Sequence, residues 1–82
     1  MREENTIRNN QYNFEIVKHI GIIDSYPSGW TKEINLVSWN GNDAKYDIRE
    51  WSPEHDKMSR GLTLTKEEVV KLMDILSNME VE

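Results

Sequence analysis

Residues 29–51 constrain the fold more than any other part of this 82-residue chain. Two stretches that read as β-strands, 30–39 and 44–50, flank the segment Asn40-Gly41-Asn42-Asp43. Asparagine and glycine tolerate the positive φ angles that a tight hairpin turn requires. The sequence therefore predicts two antiparallel β-strands that are joined by a short turn.

Neighbouring side chains of a strand point to opposite faces of its sheet, so the alternation divides this hairpin into two sets. We expect four apolar side chains to form the core on one face: Ile34, Leu36, Tyr46 and Ile48. The other face should point outward with Asn35, Trp39, Lys45 and Arg49. Trp30 and Lys32 are an even number of residues from Ile34, so they point to the same face as the predicted core residues. They reach the outward face only near a strand end or through a β-bulge.

The remaining segments complete an α+β fold. Residues 14–23 are rich in β-branched side chains and predict a first strand, in which Gly21 indicates a bulge or bend. Residues 58–64 predict a short fourth strand. Thr65 and Glu68 have the spacing of a capping box at the start of a helix. We expect a curved four-stranded antiparallel sheet in chain order, followed by a C-terminal helix.

An apolar stripe at helical spacing runs along the predicted helix and is wide for a helix that covers one small sheet. Its residues are Val69, Leu72, Met73, Leu76 and Met79, flanked by Val70 and Ile75. A second subunit would cover the excess, and a chain of this size gains stability from such a partner. We therefore predict that the stripe forms the interface of a homodimer.

Composition sets further limits. The sequence contains no cysteine, and its two histidines, His19 and His55, lie far apart, so we predict no metal site and no cofactor. Residues 1–12 are polar and predict a flexible arm ahead of a single domain, 13–82. No stretch approaches membrane-spanning length, and we expect a cytoplasmic, nucleoid-associated protein with no membrane partner.

The net charge of −5 argues against nucleic-acid binding, because nucleic-acid-binding domains are usually basic. However, residues 62–82 carry five carboxylates and two lysines, so much of the excess lies on the C-terminal segment. The hairpin interleaves all three tryptophans with Lys32, Lys45 and Arg49. Rings that stack on bases and cations that meet phosphates are the means by which proteins bind single strands.

Two segments resemble the transcriptional coactivator family called positive cofactor four. The run Asp47-Ile48-Arg49-Glu50-Trp51, followed after a polar loop by Ser59-Arg60-Gly61-Leu62-Thr63-Leu64, is similar to that family's signature. Residues 29–41 look like its compact bacterial branch, the YdbC-like proteins. The likeness spans roughly residues 14–76. It implies a curved four-stranded sheet, a C-terminal helix, a homodimer and single-stranded DNA binding.

The resemblance implies that Arg49, Lys57 and Arg60 contact the nucleic acid. For Trp39 the structural alternative is a half-buried strand residue, and for Arg49 it is an ion pair with a carboxylate such as Glu33. Together, the pattern of the residues and the resemblance predict a binding site made of Lys18, Trp30, Lys32, Asn35, Trp39, Lys45, Arg49, Trp51, Lys57 and Arg60.

We predict a protein that binds single-stranded DNA, with RNA as an alternative ligand, and that has little sequence preference. It would act in transcription, replication or repair, in contact with the transcription machinery. His55-Asp56 lacks a nucleophile or an oxyanion site, so we predict no enzymatic activity. The rival hypothesis is a protein-interaction module whose aromatic face docks a peptide or a subunit. A third is a purely structural domain.

Overall fold

The computed structural model describes residues 13–82, and the predicted arm, 1–12, lies outside the described residues. Four strands form one antiparallel sheet in the order of the chain. They are β1 (Phe14–Ser25), β2 (Thr31–Trp39), β3 (Lys45–Trp51) and β4 (Leu62–Leu64), and the helix α1 (Lys66–Asn78) follows them. The predicted fold class, an antiparallel sheet followed by one helix, is confirmed.

The local signals of the sequence form the predicted turn and helix cap. Asn40 and Gly41 both have positive φ, at 54° and 77°, in the turn between β2 and β3. The Thr65 hydroxyl accepts a hydrogen bond from the backbone of Glu68, and the Glu68 carboxylate accepts one from the backbone of Thr65. The fourth strand is shorter than predicted, because only a single bridge, Trp51 to Met58, pairs the first half of the predicted segment.

The first strand contains three shifts of pairing register with β2, between residues 16 and 18, 19 and 21, and 22 and 24. One residue of β1 at each shift has no opposite residue on β2; these are Val17, Ile20 and Ile23. Each extra residue bends the strand and increases its twist. Gly21 was predicted to mark a bulge, and it lies at the second of the three shifts.

Ring contacts show how strongly the sheet curves. Phe14 pairs with Trp39 at one end of β2, whereas Trp51 pairs with Thr31 at the other end. Eight residues of extended strand would separate these ends by roughly 26 Å. Nevertheless, the ring centroids of Phe14 and Trp51 lie 5.2 Å apart. The sheet therefore curls toward the face that these rings share, which we call the inner face.

The division of side chains between two faces is as predicted, but their burial is not. The register opposes Ile34 to Ile48 on one face and Asn35 to Asp47 on the other. Asn35, Val37 and Asp47, on the face expected to point outward, are fully buried. The expected core residues are only half-buried: Ile34, Leu36, Tyr46 and Ile48. Curling of the sheet encloses the inner face and leaves the apolar outer face partly open.

Helix α1 lies beside β3 and β4 and has no buried residue. Val69 and Leu72 are half-buried, whereas Met73, Leu76 and Met79 remain at least half exposed. Val70 and Ile75, which flank the stripe, are also exposed. The described chain thus leaves most of the apolar stripe open to solvent.

Candidate nucleic-acid interface

A cleft of about 560 Å³ opens where the end of β2 meets the segment before β4. Eight residues line it: Trp39, Asn40, Arg49, Met58, Ser59, Arg60, Gly61 and Thr63. It combines an indole ring, two guanidinium groups and the polar edge of the hairpin turn. A flat aromatic surface beside cations can hold a base and its phosphate.

Arg49 crosses the floor of this cleft and is held from several sides. Its Nε and Nη2 atoms donate to the two carboxylate oxygens of Asp47, at 2.6 and 2.7 Å. Its Nη1 donates to the Ser59 carbonyl oxygen at 3.3 Å and lies 3.4 Å from the Met58 sulfur. Only 12% of the arginine side chain is exposed, and none of the aspartate. Asp47 therefore holds the Arg49 guanidinium group in place as a buried ion pair.

The guanidinium carbon of Arg49 lies 4.6 Å from the centroid of the Trp39 ring, which is a cation–π contact. Phe14 packs against the same indole, with the ring centroids 5.8 Å apart. Trp39 is half-buried, as the structural alternative proposed, and still borders the cleft. Contacts with Arg49 and Phe14 therefore fix the ring at the rim of the inner face.

Gly61 allows the segment before β4 to approach Arg49 closely. A Cβ atom on this residue would lie 2.5 Å from the Arg49 Cβ and 2.7 Å from the Ile48 carbonyl oxygen. Both distances are shorter than real Cβ contacts, and the carbonyl belongs to a paired strand. The glycine of the Ser59-Arg60-Gly61 run thus has a packing reason that the sequence did not reveal.

A polar network lies deeper on the inner face, around the carboxylate of Glu33. Glu33 is 2% exposed and accepts hydrogen bonds from Thr31 at 2.5 Å and from the Asn35 amide at 3.1 Å. The Nε2 of His55 lies 2.8 Å from its Oε2, and the Nδ1 of His19 lies 3.5 Å from its Oε1. Burial acts to raise the pKa of Glu33, but the hydrogen bonds from Thr31, Asn35 and His55 outweigh it and lower the pKa.

The same network attaches the loop 52–61 to the sheet. The His55 ring stacks on Trp51, with the centroids 5.5 Å apart, and His55 has a positive φ of 60°. Ser52 donates to Asp56, which lowers the pKa of that carboxyl group, and accepts from the backbone of Lys57. A loop held in this way supplies the wall of the cleft on which Met58, Ser59 and Arg60 lie.

Two residues predicted to bind nucleic acid are out of reach. Asn35 and Trp51 are both 0% exposed. Asn35 is engaged with Glu33 and with the Nδ1 of His19, at 2.7 Å, and Trp51 is covered by Phe14 and His55. The assignment of these two side chains to the binding surface is corrected, because the curled sheet encloses them.

The other predicted residues lie at different places on the surface. Lys32 and Arg60 line a second, shallower groove that adjoins the cleft. Trp30 lies in a separate depression with Tyr26, Ser28 and Glu50, on the outer side as its parity predicted. The Tyr26 hydroxyl donates to Glu50 at 3.0 Å, and burial together with this hydrogen bond raises its pKa. Lys18, Lys45 and Lys57 are exposed but line none of these three depressions.

The structure therefore brings together Trp39, Arg49 and Arg60 from the predicted set. Sequence reasoning missed the other five members of the cleft, which are Asn40, Met58, Ser59, Gly61 and Thr63. The pair of Asp47 and Arg49 could have been found, because residues two apart in a strand share a face. Arg49 does not form an ion pair with Glu33, which lies opposite it on β2. Arg49 binds Asp47 instead, and the Glu33 carboxylate is engaged by His55.

Within residues 13–82, no three His, Asp or Glu side chains are grouped so that they could hold a metal ion. No helix in this part of the chain is long and apolar enough to cross a membrane.

A four-stranded antiparallel sheet in chain order, followed by one C-terminal helix and with an aromatic and cationic cleft, defines the class of small α+β domain to which this chain belongs. The family described as Transcriptional Coactivator p15 (PC4) matches residues 26–75, more than half of the chain. An uncharacterized protein of Treponema pallidum (strain Nichols) is 41% identical over 83 residues, which cover 100% of this chain and 98% of the relative. The chain belongs to the PC4 family.

Proposed function

We propose that this protein binds single-stranded DNA, with RNA as a second ligand, through the cleft that Trp39, Arg49 and Arg60 line. The observation that supports this most is the position of an indole ring at the rim of a groove that also carries an exposed arginine. Every base has a π-face, so stacking on Trp39 would tolerate any sequence. Membership of a family described as a transcriptional coactivator supports a role in transcription.

Electrostatics of this surface agree with a phosphate backbone as the ligand. Asp47 at the cleft floor and Glu33 in the network below it are buried and engaged by hydrogen bonds. Glu50, which lines the shallower groove, accepts a hydrogen bond from the Tyr26 hydroxyl. Arg60 is exposed at the junction of the cleft and the shallower groove, and Lys32 lines that groove. A strand that follows both depressions would pass two cations in succession, in spite of the net charge of −5.

We further propose that the protein acts as a homodimer. Apolar side chains of the helix stripe and of the outer face are open in the single chain, and Met73 is 63% exposed. Fully burying one such side chain contributes about 1.5–3 kcal/mol. A second copy that covers the helix stripe would bury these side chains and would leave the cleft and the shallower groove free for the ligand.

Two variants test the role of the cleft. Trp39→Ala should weaken oligo-dT binding by roughly 1–3 kcal/mol, the usual value of one base stack, and leave the salt dependence nearly unchanged. Arg60→Gln should weaken binding and flatten the slope of log K against log salt by about 0.7, the value of one phosphate contact on a single strand. Fluorescence anisotropy of labelled oligo-dT between 50 and about 300 mM salt gives both quantities.

Pro27→Ala is a suitable control, because Pro27 is exposed and lines none of the three depressions. Circular dichroism of each variant separates loss of binding from loss of fold. If Trp39→Ala and Arg60→Gln both fold and bind oligo-dT as the wild type does, the cleft is not the binding site. The alternative function is a module that docks a peptide or a subunit on the Trp39 ring. It predicts no salt-dependent affinity of the protein for oligo-dT.

A further inference from the structure

We propose that Arg49 is a positioning residue for Trp39 and that it does not itself bind phosphate. In this assignment Asp47 neutralises the guanidinium group and fixes its plane, and that plane sets the orientation of the indole ring. The inference rests on the proposed function, since it divides the work of the same cleft among its residues. Exposed Arg60 then supplies the phosphate contact that Arg49 does not.

The geometry of the ion pair carries the first step. Two parallel N–H···O bonds, at 2.6 and 2.7 Å, join Arg49 to Asp47, and this bidentate arrangement determines the orientation of the guanidinium plane. The aspartate is itself held, because Thr63 donates to its Oδ2 at 3.1 Å. Asp47 is 0% exposed, so the charge of the pair is cancelled where water does not screen it.

Competition with phosphate carries the second step. A phosphate group that captured the guanidinium would have to displace Asp47, and the buried carboxylate would then lack a partner. Leaving one member of a buried pair uncompensated is strongly unfavourable. The remaining Nη1 group is directed to the Ser59 carbonyl oxygen and the Met58 sulfur. A side chain that is 12% exposed has little left to offer a ligand.

The contact with the ring carries the third step. The guanidinium carbon lies 4.6 Å from the Trp39 centroid, while the edge of the same group binds Asp47 and the Ser59 carbonyl oxygen. A flat cation fixed at its edge is a rigid support for an indole ring. Lysine could keep the charge, but it could not form the fork with the carboxylate or present a planar face.

The assignment separates two measurable quantities. A phosphate contact contributes about 0.7 to the salt slope on a single strand, whereas a positioning residue contributes nothing to it. Loss of the orientation of Trp39 should lower affinity only for ligands that have bases. An abasic phosphodiester of the same length as the oligo-dT, with no ring to stack, therefore distinguishes the two roles.

Arg49→Lys and the double variant Asp47→Asn with Arg49→Gln test the proposal on the full chain, with Arg60→Gln as the matched control. The double variant removes the ion pair without leaving a buried charge. For both we expect a loss of oligo-dT affinity of roughly 5- to 160-fold, the range for one base stack, with the salt slope and the abasic affinity unchanged. Arg60→Gln should instead reduce the slope and the abasic affinity.

A slope that is flattened by about 0.7 in the double variant, or an unchanged oligo-dT affinity in a folded double variant, overturns the assignment. A measurement on the wild type needs no substitution at all. On titration with oligo-dT, the ¹H–¹⁵N side-chain signal of Arg49 Nε should stay in place, while that of Arg60 shifts. A large shift of the Arg49 signal without one at Arg60 also overturns it.

Failure of the proposed function is distinguishable from failure of this inference. If wild-type protein binds neither oligo-dT nor the abasic chain, the proposed function is wrong. The role of Arg49 is then tested by the Trp39 indole N–H signal of the free protein. Positioning predicts that this signal shifts or broadens in the double variant and keeps its wild-type position in Arg60→Gln. An unchanged indole signal in the double variant contradicts the positioning role.

Discussion

Substitution of Gly61 by alanine is the sharpest test of how the cleft is packed. The new methyl group would lie 2.7 Å from the Ile48 carbonyl oxygen and 2.5 Å from the Arg49 Cβ. The carbonyl belongs to β3, which is paired on both sides, so the clash has to be relieved by moving the segment before β4 or the Arg49 side chain. Overpacking of this kind typically costs about 1–3 kcal/mol.

Gly21→Ala is the matched control. A Cβ atom at Gly21 meets nothing within 4 Å, and its φ is not positive, so this change adds the same methyl group without a clash. Gly→Ala at a compatible position is close to neutral or stabilises by about 0.4–1 kcal/mol. The difference between the two variants thus reports the contact at residue 61 rather than a general effect of alanine.

Thermal unfolding followed by circular dichroism, at one protein concentration for all samples, measures both variants. In a domain of this size each kcal/mol shifts Tm by about 4–8 °C, so Gly61→Ala should melt about 4–24 °C below the wild type. Gly21→Ala should melt at or slightly above it. We also expect Gly61→Ala to bind oligo-dT more weakly. A Gly61→Ala protein with the wild-type Tm and affinity would refute the packing argument.

Two further predictions concern the buried carboxylate and the helix. The pKa of Glu33 is lowered in the folded state from its ordinary value of 4.5, so its contribution to stability is present above that value and is lost as the pH falls through the folded pKa. Glu33→Gln should therefore be less stable than the wild type at pH 7, and urea titrations should show that the difference in unfolding free energy shrinks below about pH 4.5. Glu15→Gln, at an exposed position, should follow the wild type throughout. A difference in unfolding free energy that does not change with pH contradicts the role of the Glu33 network. The double variant Met73→Asp with Leu76→Asp should give unfolded or monomeric chains, whereas Lys71→Glu should remain a dimer. Sedimentation equilibrium measures the mass of each variant in solution. A wild-type mass near 9.7 kDa at micromolar concentration contradicts the proposed dimer.

Local sequence signals were sufficient for the elements and for their order. The Asn40-Gly41 turn and the Thr65 cap both form as their chemistry predicts, because each depends on a few neighbouring residues. The side chains of β2 and β3 divide between the faces as the alternation predicts. Parity in a strand is a local property that survives any bending of the sheet.

Burial could not be predicted in the same way, since it depends on how the whole sheet curls. The three register shifts of β1 occur at Val17, Ile20 and Ile23, which are ordinary strand residues in sequence. Only Gly21 marked one of them. The curl brings Phe14 to Trp51, encloses Asn35 and opens the apolar face that the pattern assigned to the core.

The composition of the cleft was predictable only in part. Trp39, Arg49 and Arg60 were found from residue type and from the family resemblance. The hydrogen bond between His55 and Glu33, which anchors the loop 52–61, joins residues 22 positions apart, so neither partner indicates the other in sequence. The role of Gly61 likewise depends on an approach to Arg49 across two strands.

The central claim, that the cleft makes this a protein for single-stranded nucleic acid, is tested most directly by one titration. Wild-type protein is added to fluorescent oligo-dT, and in parallel to a duplex of the same length, across a series of salt concentrations. The proposed function predicts tighter binding to the single strand and a log K that falls with log salt by about 0.7 for each phosphate contact. Equal or tighter binding to the duplex, or single-strand binding that does not change with salt, would contradict it.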